Sequence, residues 1–260
     1  MTSTKYKVEK LTIDKVKKLF VYRKLSNLLK ASSLDQNKDF AADIINVQYQ
    51  IYMLDGYLEN QWELNKKDIG LLWDAIKLSL SGMGYDKKAI SSMVEEIKDY
   101  ERIEKNCRKD KWPTKVCMED FYTTKSCDVR LIRHLIYNAH PDLGNQWKER
   151  AWRFYDIITE IHDDIEDVQE DVKTFNGNRF LISILRKGLE KTYKEYNGYL
   201  NAITKEAEKY FTAKGDRGQN KQLAAWTIDR SLQTLKLLDT QIKSNKLENL
   251  SASLLLVHMK

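Results

Sequence analysis

Chain breakers are scarce here, with 2 prolines and 10 glycines among 260 residues. A β-sandwich or barrel needs turn residues every roughly 8 to 12 positions, and collagenous or linker-like chains need far more Gly and Pro. Those classes are excluded. Cysteine is scarce as well. Cys107, Cys117 and Cys127 are odd in number, and with His134, His140, His162 and His258 they form no CxxC or zinc-finger spacing. A disulfide framework or structural zinc is therefore not expected, and a reducing, cytoplasmic setting is. No stretch reaches the roughly 18 apolar residues of a membrane span, and the opening MTSTKYKVEKL lacks the apolar run of a signal peptide. The expectation is a chain with no integral membrane segment, its apolar tail Leu254 to Val257 a docked or frayed end. Charge of one sign is not in large excess: 44 Lys and Arg against 38 Asp and Glu leave a net +6. The basic residues are scattered, without the patch or arm of a nucleic-acid binder.

What is present is apolar periodicity. Hydrophobic residues make up 42% of the chain, too much for disorder, and they recur at a spacing of about 3.6. The pattern predicts helices over 11–31, 37–63, 67–82, 86–109, 115–139, 145–174, 178–212 and 220–248. Breaks fall at Ser32-Ser33-Leu34-Asp35, Gly82-Met83-Gly84, Trp112-Pro113-Thr114, His140-Pro141-Asp142, Asn176-Gly177-Asn178 and Gly215-Asp216-Arg217-Gly218. The expected fold is all-α, a single domain over 1–260, with a bundle over roughly 37–248 and helix 11–31 packed on it.

The 145–174 segment carries the most chemistry. Between Arg153 and Lys173 there is no Lys or Arg, while Asp156, Glu160, Asp163, Asp164, Glu166, Asp167, Glu170 and Asp171 crowd together. Like charges at i, i+4 destabilise a helix by about 0.2–0.5 kcal/mol per pair, so something positive is expected to offset them. Phe154, Ile158, Ile161, Ile165, Val168 and Val172 form an apolar stripe, and Glu160, Asp164, Asp167 and Asp171 run along one side of it. Asp163, Asp167 and Asp171 share a row at one-turn spacing. Stacked carboxylates suit hard divalent cations, and Mg²⁺ is commonly held by one or two carboxylates plus substrate phosphates. A solvated acidic face is the competing reading of the same residues.

Asp163 to Asp171 reads DDIEDVQED, of the form DDxxDxxxD. It resembles the second aspartate-rich motif of trans-isoprenyl diphosphate synthases, and its DVQED part resembles the DVxED of squalene and phytoene synthases. Tyr122-Thr123-Thr124-Lys125-Ser126, with Lys125 38 residues before Asp163, is similar to the YxxKT element of trans-prenyltransferases. Asp55-Gly56-Tyr57-Leu58-Glu59 resembles the DxxxD or DxxxE first motif of squalene-type and some terpene synthases. Together these resemble the class I isoprenoid synthase superfamily over about residues 37 to 215. The resemblance implies a bundle of about eight or more long helices around a central apolar cavity. It also departs from the pattern. The first motif is not DDxxD, and the arginine pair that follows it is represented by Lys66 and Lys67. The small-residue VAGxVG-type helix is replaced by Lys125-Ser126-Cys127-Asp128-Val129-Arg130, and the C-terminal Arg-Tyr pair of many terpene synthases is missing.

By this resemblance the chain ionises an allylic prenyl diphosphate with two or three Mg²⁺, or Mn²⁺, and releases diphosphate as a terpene synthase or a specialised prenyl transferase. The metal ligands implied are Asp163, Asp167 and Asp171, with Asp164 as an alternative, and Asp55 and Glu59 opposing them. Lys125, Arg130, Arg133 and Arg179 are the implied diphosphate contacts. Aromatic faces stabilise a carbocation, and Tyr49, Tyr52, Trp73, Tyr122, Trp152, Tyr155, Phe175 and Trp226 are the candidate liners, each also explained by ordinary packing. Chain elongation and squalene-type or phytoene-type head-to-head condensation are the nearest alternatives. An HD-type phosphohydrolase uses His162 and Asp163 with His134 or His140 but leaves the other carboxylates idle. No histidine has Glu three residues before it, so a ferritin-like di-metal site is excluded. A non-enzymatic helical module binding a basic partner, and a homodimer, stay open.

Overall fold

Asparagine caps the start of several helices. In the computed structural model, which describes residues 2–61, 63–108, 116–172, 177–213 and 219–243, Asn37 accepts the Phe40 N–H at 3.1 Å and Asn65 the Lys67 N–H at 2.8 Å. Each satisfies a donor that the helix itself cannot. All regular structure among the described residues is helical, and no strand is present there. No helix among them is long and apolar enough to cross a membrane. The predicted breaks at Trp112-Pro113-Thr114 and Gly215-Asp216-Arg217-Gly218, the liner Phe175 and the tail Leu254 to Val257 lie outside the described residues.

The chain forms two compact units, the first from Met1–Pro113 and Thr124–Asn145, the second from Thr114–Thr123 and Gln146–Lys260. The first holds α1 (Thr2–Tyr22), α2 (Leu25–Ala31), α3 (Lys38–Asn60), α4 (Lys66–Gly82), α5 (Lys87–Arg108) and α7 (Cys127–Ala139). Between them α6 (Met118–Lys125) gives its first six residues to the second unit. All but the last residue of α8 (Pro141–Gln146) belongs to the first unit, and the second holds α9 (Glu149–Glu166), α10 (Val168–Asp171), α11 (Arg179–Lys187), α12 (Leu189–Ala213) and α13 (Gln219–Lys243).

In the first unit α3 packs on α1, α4, α5 and α7. Its buried residues Ile44, Val47, Ile51, Leu54 and Leu58 follow the three- and four-residue spacing of one helix face. In α4 the face is Ile69, Trp73, Ile76 and Leu80, and the Trp73 indole N–H donates to buried Glu101 at 2.8 Å.

Several predicted helices are each two. The 11–31 segment breaks at Arg23-Lys24, where Lys24 takes φ 62°, a conformation that interrupts the helical ladder. The 178–212 segment breaks at Gly188, with φ 80° and ψ 163°, a region essentially reserved for glycine. The 115–139 segment turns at Ser126 between α6 and α7, and the 145–174 segment is divided at Trp147-Lys148 and again at Asp167.

Within the second unit α9 is enclosed by α11, α12 and α13. From Ala151 to Ile161 every residue except Arg153 is buried, so this helix is a centre rather than an amphipathic cover. Its N-terminal part stacks in an aromatic cluster, with Trp152 5.5 Å from Trp147 and 6.3 Å from Trp226 between ring centroids.

Candidate functional site: the acidic end of α9

The central position of α9 changes the meaning of its charges. Asp156, Glu160, Asp164 and Asp171 are 2%, 4%, 1% and 7% exposed, whereas Asp163 is half-buried and Glu166, Asp167 and Glu170 are exposed. A purely solvated acidic face would not bury four of its eight carboxylates, because each must be offset by specific partners.

For Asp164 those partners are visible. Its Oδ2 accepts the Tyr122 hydroxyl and the Arg179 backbone N–H, both at 2.9 Å. Tyr122 is itself 2.8 Å from the Tyr196 hydroxyl. An ionised carboxylate only accepts, so Tyr122 spends its proton on Asp164 and Tyr196 donates to Tyr122. Burial first, then the Asp164 charge, hold the Tyr122 phenol well above its ordinary value and keep it a donor. Asp164 also sits at the N-terminus of α11, where free N–H groups and the helix dipole favour an anion.

Asn178 completes this arrangement. Fully buried, it donates through Nδ2 to the Asp164 carbonyl at 2.7 Å and to Asp171 Oδ2 at 2.6 Å. Its Oδ1 accepts the Leu181 N–H at 2.8 Å, which caps α11.

The row Asp163, Asp167, Asp171 keeps its one-turn spacing across the division between α9 and α10. The Asp167 N–H reaches the Asp163 carbonyl, and the Asp171 N–H the Asp167 carbonyl, each at 2.9 Å. Asp167 is open to solvent on one side and packed on the other. Its carboxyl is pushed up to about 7, by desolvation first and then by Asp171, Asp163, Glu166 and Glu170. Every one of these influences raises it and no cation is among them.

On the α9 face that continues this row inward lie Glu160 and Asp156, and α13, packed on α9, buries Thr227, Arg230, Ser231 and Thr234. The hydroxyls of Thr159, Thr227 and Thr234 turn back to their own helix carbonyls at 2.7 Å each. His162, the histidine of the HD-type alternative, has Nδ1 3.1 Å from Thr234 Oγ1 and Nε2 3.9 Å from Glu166.

The other candidates are placed as follows. In the second unit Arg179 is 6% exposed, with Nη1 donating to the Val116 carbonyl at 3.0 Å, Nη2 3.7 Å from Glu195 and its guanidinium 5.6 Å from the Phe121 ring centre. In the first unit Asp55, Glu59, Lys125 and Arg130 are half-buried and Arg133 is fully buried. Of the expected liners, Tyr122, Trp152, Tyr155 and Trp73 are buried, while Tyr49, Tyr52 and Trp226 are half-buried. Two grooves, of 540 Å³ beside the start of α3 and 390 Å³ between α12 and α13, are lined by none of the aspartates of the DDxxDxxxD segment.

Whether these residues suit a hard cation is decided by the donor set. Among the described residues no three His, Cys, Asp or Glu side chains are gathered into a cage for a metal ion. Asp163 and Asp167 nevertheless offer carboxylate oxygens one turn apart, with solvent access and mutual repulsion that a cation relieves. That fits Mg²⁺ held by one or two carboxylates and completed by phosphate oxygens, and it does not fit a preassembled three-carboxylate site. Asp164, whose Oδ2 takes two donors, is a strut for α11. Asn178 and the tyrosine pair were not singled out from sequence in these roles. The signal for Asn178 was its place at the end of the Asn-Gly-Asn turn just before an apolar helix, where Asn is a preferred cap; nothing local marks Tyr196. No family model, no curated protein and no solved structure matches this chain.

Proposed function

We propose that this chain is a class I isoprenoid synthase-like enzyme that ionises an allylic prenyl diphosphate in a Mg²⁺-dependent reaction, as a terpene synthase or a specialised prenyl transferase. The observation that carries the reading is the Asp163, Asp167, Asp171 row, held at one-turn spacing and uncompensated at Asp167. A helix selected for stability alone would not be expected to crowd such a row into a stretch with no Lys or Arg between Arg153 and Lys173.

In this reading the substrate C–O bond breaks heterolytically, the electron pair leaves with diphosphate and an allylic cation remains. Bound Mg²⁺ supplies Lewis-acid stabilisation of the departing oxygens. Asp163 and Asp167 would be the oxygen ligands, while Asp171, assigned as a third by the resemblance, is buried with Oδ2 on Asn178. Tyr122, Asn178 and the Arg179 N–H hold the segment that carries them, so little reorganisation is needed as charge develops. The resemblance assigns Asp55 and Glu59 as further carboxylates and Lys125, Arg130, Arg133 and Arg179 as cationic contacts. The finer architecture of the reading is a helical bundle around an apolar cavity that receives the prenyl chain.

The test is incubation with geranyl, farnesyl and geranylgeranyl diphosphates, with and without isopentenyl diphosphate and Mg²⁺, scoring diphosphate release and organic products. Metal-dependent release that Asp167→Ala abolishes is the expected result. No metal-dependent turnover of any of the three overturns the proposal. Activity lost in His162→Ala but kept in Asp167→Ala transfers the assignment to the HD-type chemistry.

A further inference from the structure

We propose that the exposed basic face of α1, centred on Lys17, Lys18 and Val21, docks reversibly on an anionic lipid surface; this stands independently of the reading above. Between Asp14 and Asp35 there is no Asp or Glu, while Lys15, Lys17, Lys18, Arg23, Lys24 and Lys30 all fall in those 20 residues. That stretch carries as much positive charge as the net +6 of the whole chain, so the remainder is balanced. Basic residues occur throughout the sequence, and what sets this stretch apart is the missing acid. Unoffset lysines on one helix attract the headgroups of an anionic leaflet, each lysine near the surface strengthening association by about 5-fold.

Packing fixes which side of α1 meets water. Val16 and Phe20, one turn apart, are 0% and 3% exposed, and the helix packs on α2 and α3. Lys17 and Lys18 are exposed, and Val21, one turn beyond them, is 62% exposed. Lys17, Lys18 and Lys30, the last exposed on α2, make no ion pair among the described residues. Lys15 reaches the Tyr52 hydroxyl on α3 at 3.5 Å, and exposed Asp14 lies one turn before Lys17 and Lys18. An apolar side chain set among ammonium groups suits the boundary between headgroups and acyl chains, where lysine stems lie against hydrocarbon and their charges reach phosphate. Nucleic-acid recognition draws instead on arginine forks and aromatic faces. The one arginine of the stretch, Arg23, is 5% exposed, Phe20 is buried and Tyr22 is half-buried. Because Val16 and Phe20 are committed to the core, α1 has no second apolar face to insert, so the docking is electrostatic and shallow.

The test is co-sedimentation of the full chain with phosphatidylcholine vesicles, with and without phosphatidylserine, at low and high salt. Binding is expected to the phosphatidylserine vesicles at low salt, and neither to phosphatidylcholine alone nor at high salt. The double variant Lys17→Gln, Lys18→Gln should weaken that binding by about 30-fold. Val21→Ser keeps every charge and should weaken it by about 3-fold or more. All three side chains are exposed, so these changes remove no core contact. The control is Lys77→Gln with Lys98→Gln, which removes the same charge from lysines paired to Asp74 and Glu95 on α4 and α5 and should leave vesicle binding unchanged. Equal weakening by the control pair would make net charge the cause and overturn the assignment to α1. So would absence of binding to phosphatidylserine vesicles at low salt. Fluorescence anisotropy with single- and double-stranded oligonucleotides covers the other polyanion: binding to them tighter than to the vesicles, and unchanged in Val21→Ser, overturns the lipid assignment.

Discussion

Removing the Asp164 side chain separates the aspartates that build the fold from those left for chemistry. In Asp164→Ala the Tyr122 hydroxyl and the Arg179 N–H each lose an acceptor 2.9 Å away, at a position that is 1% exposed. Hydrogen bonds to a charged group contribute about 1.5–3 kcal/mol each, and breaking a buried charged arrangement from one side costs about 3–5 kcal/mol. The two routes agree on a loss of about 3–5 kcal/mol. At roughly 2–4 °C per kcal/mol for a chain of this size, the Tm falls by about 10 °C. Asp164→Asn, which keeps one acceptor and loses the charge, should fall between wild type and alanine. The contrast is Asp167→Ala, on the same segment, which removes a carboxylate surrounded by four others and should leave the Tm unchanged or slightly raised. Urea and thermal unfolding followed by circular dichroism provide the comparison. Equal destabilisation by Asp164→Ala and Asp167→Ala, or a loss below about 1 kcal/mol for Asp164→Ala, would refute the assignment of Asp164 as a strut.

Because the Asp167 carboxyl is raised to about 7 from an ordinary 3.8, the folded state binds more protons than the unfolded one between those values. The stability associated with this group is therefore fully present below about 4 and is lost as the pH rises through 7. Exposure and salt screening reduce the effect to about 1 kcal/mol or less, so Asp167→Asn should gain Tm relative to wild type at pH 8 but not at pH 4; a constant difference across that range rejects it. Gly188→Ala, with open space around the added methyl but φ 80°, should cost about 1–3 kcal/mol from backbone strain alone, measured by urea titration. Trp152→Ala removes the fully buried ring of the Trp147, Trp152, Trp226 cluster and should cost about 3–5 kcal/mol; near-native stability would show that the cluster repacks.

The all-helical class was legible because few prolines and glycines interrupt a sustained helical period. Helix divisions were less so. Lys24 at φ 62° carries no glycine signal. Gly188, which does, lies inside an apolar and charged pattern that continues on both sides and masks the break. The acidic row was legible from spacing alone, since i, i+4, i+8 on one helix is local geometry, and its ladder is intact across Asp167. Which carboxylates are buried was not legible. Asp163 and Asp164 are adjacent and chemically identical, yet one is half-exposed and the other takes Tyr122, 42 residues away.

By itself the sequence determined helices, an absence of long apolar runs, and a crowded line of carboxylates with no Lys or Arg between Arg153 and Lys173. Those are properties of composition and of the few residues within one or two turns. Only the tertiary structure decided that α9 is enclosed by α11, α12 and α13, that Asp164 is tied to Tyr122 and the start of α11, and that Asn178 joins three helix ends. Such pairings depend on which helices pack together, and a buried charge takes its role from whichever donors that packing brings within reach.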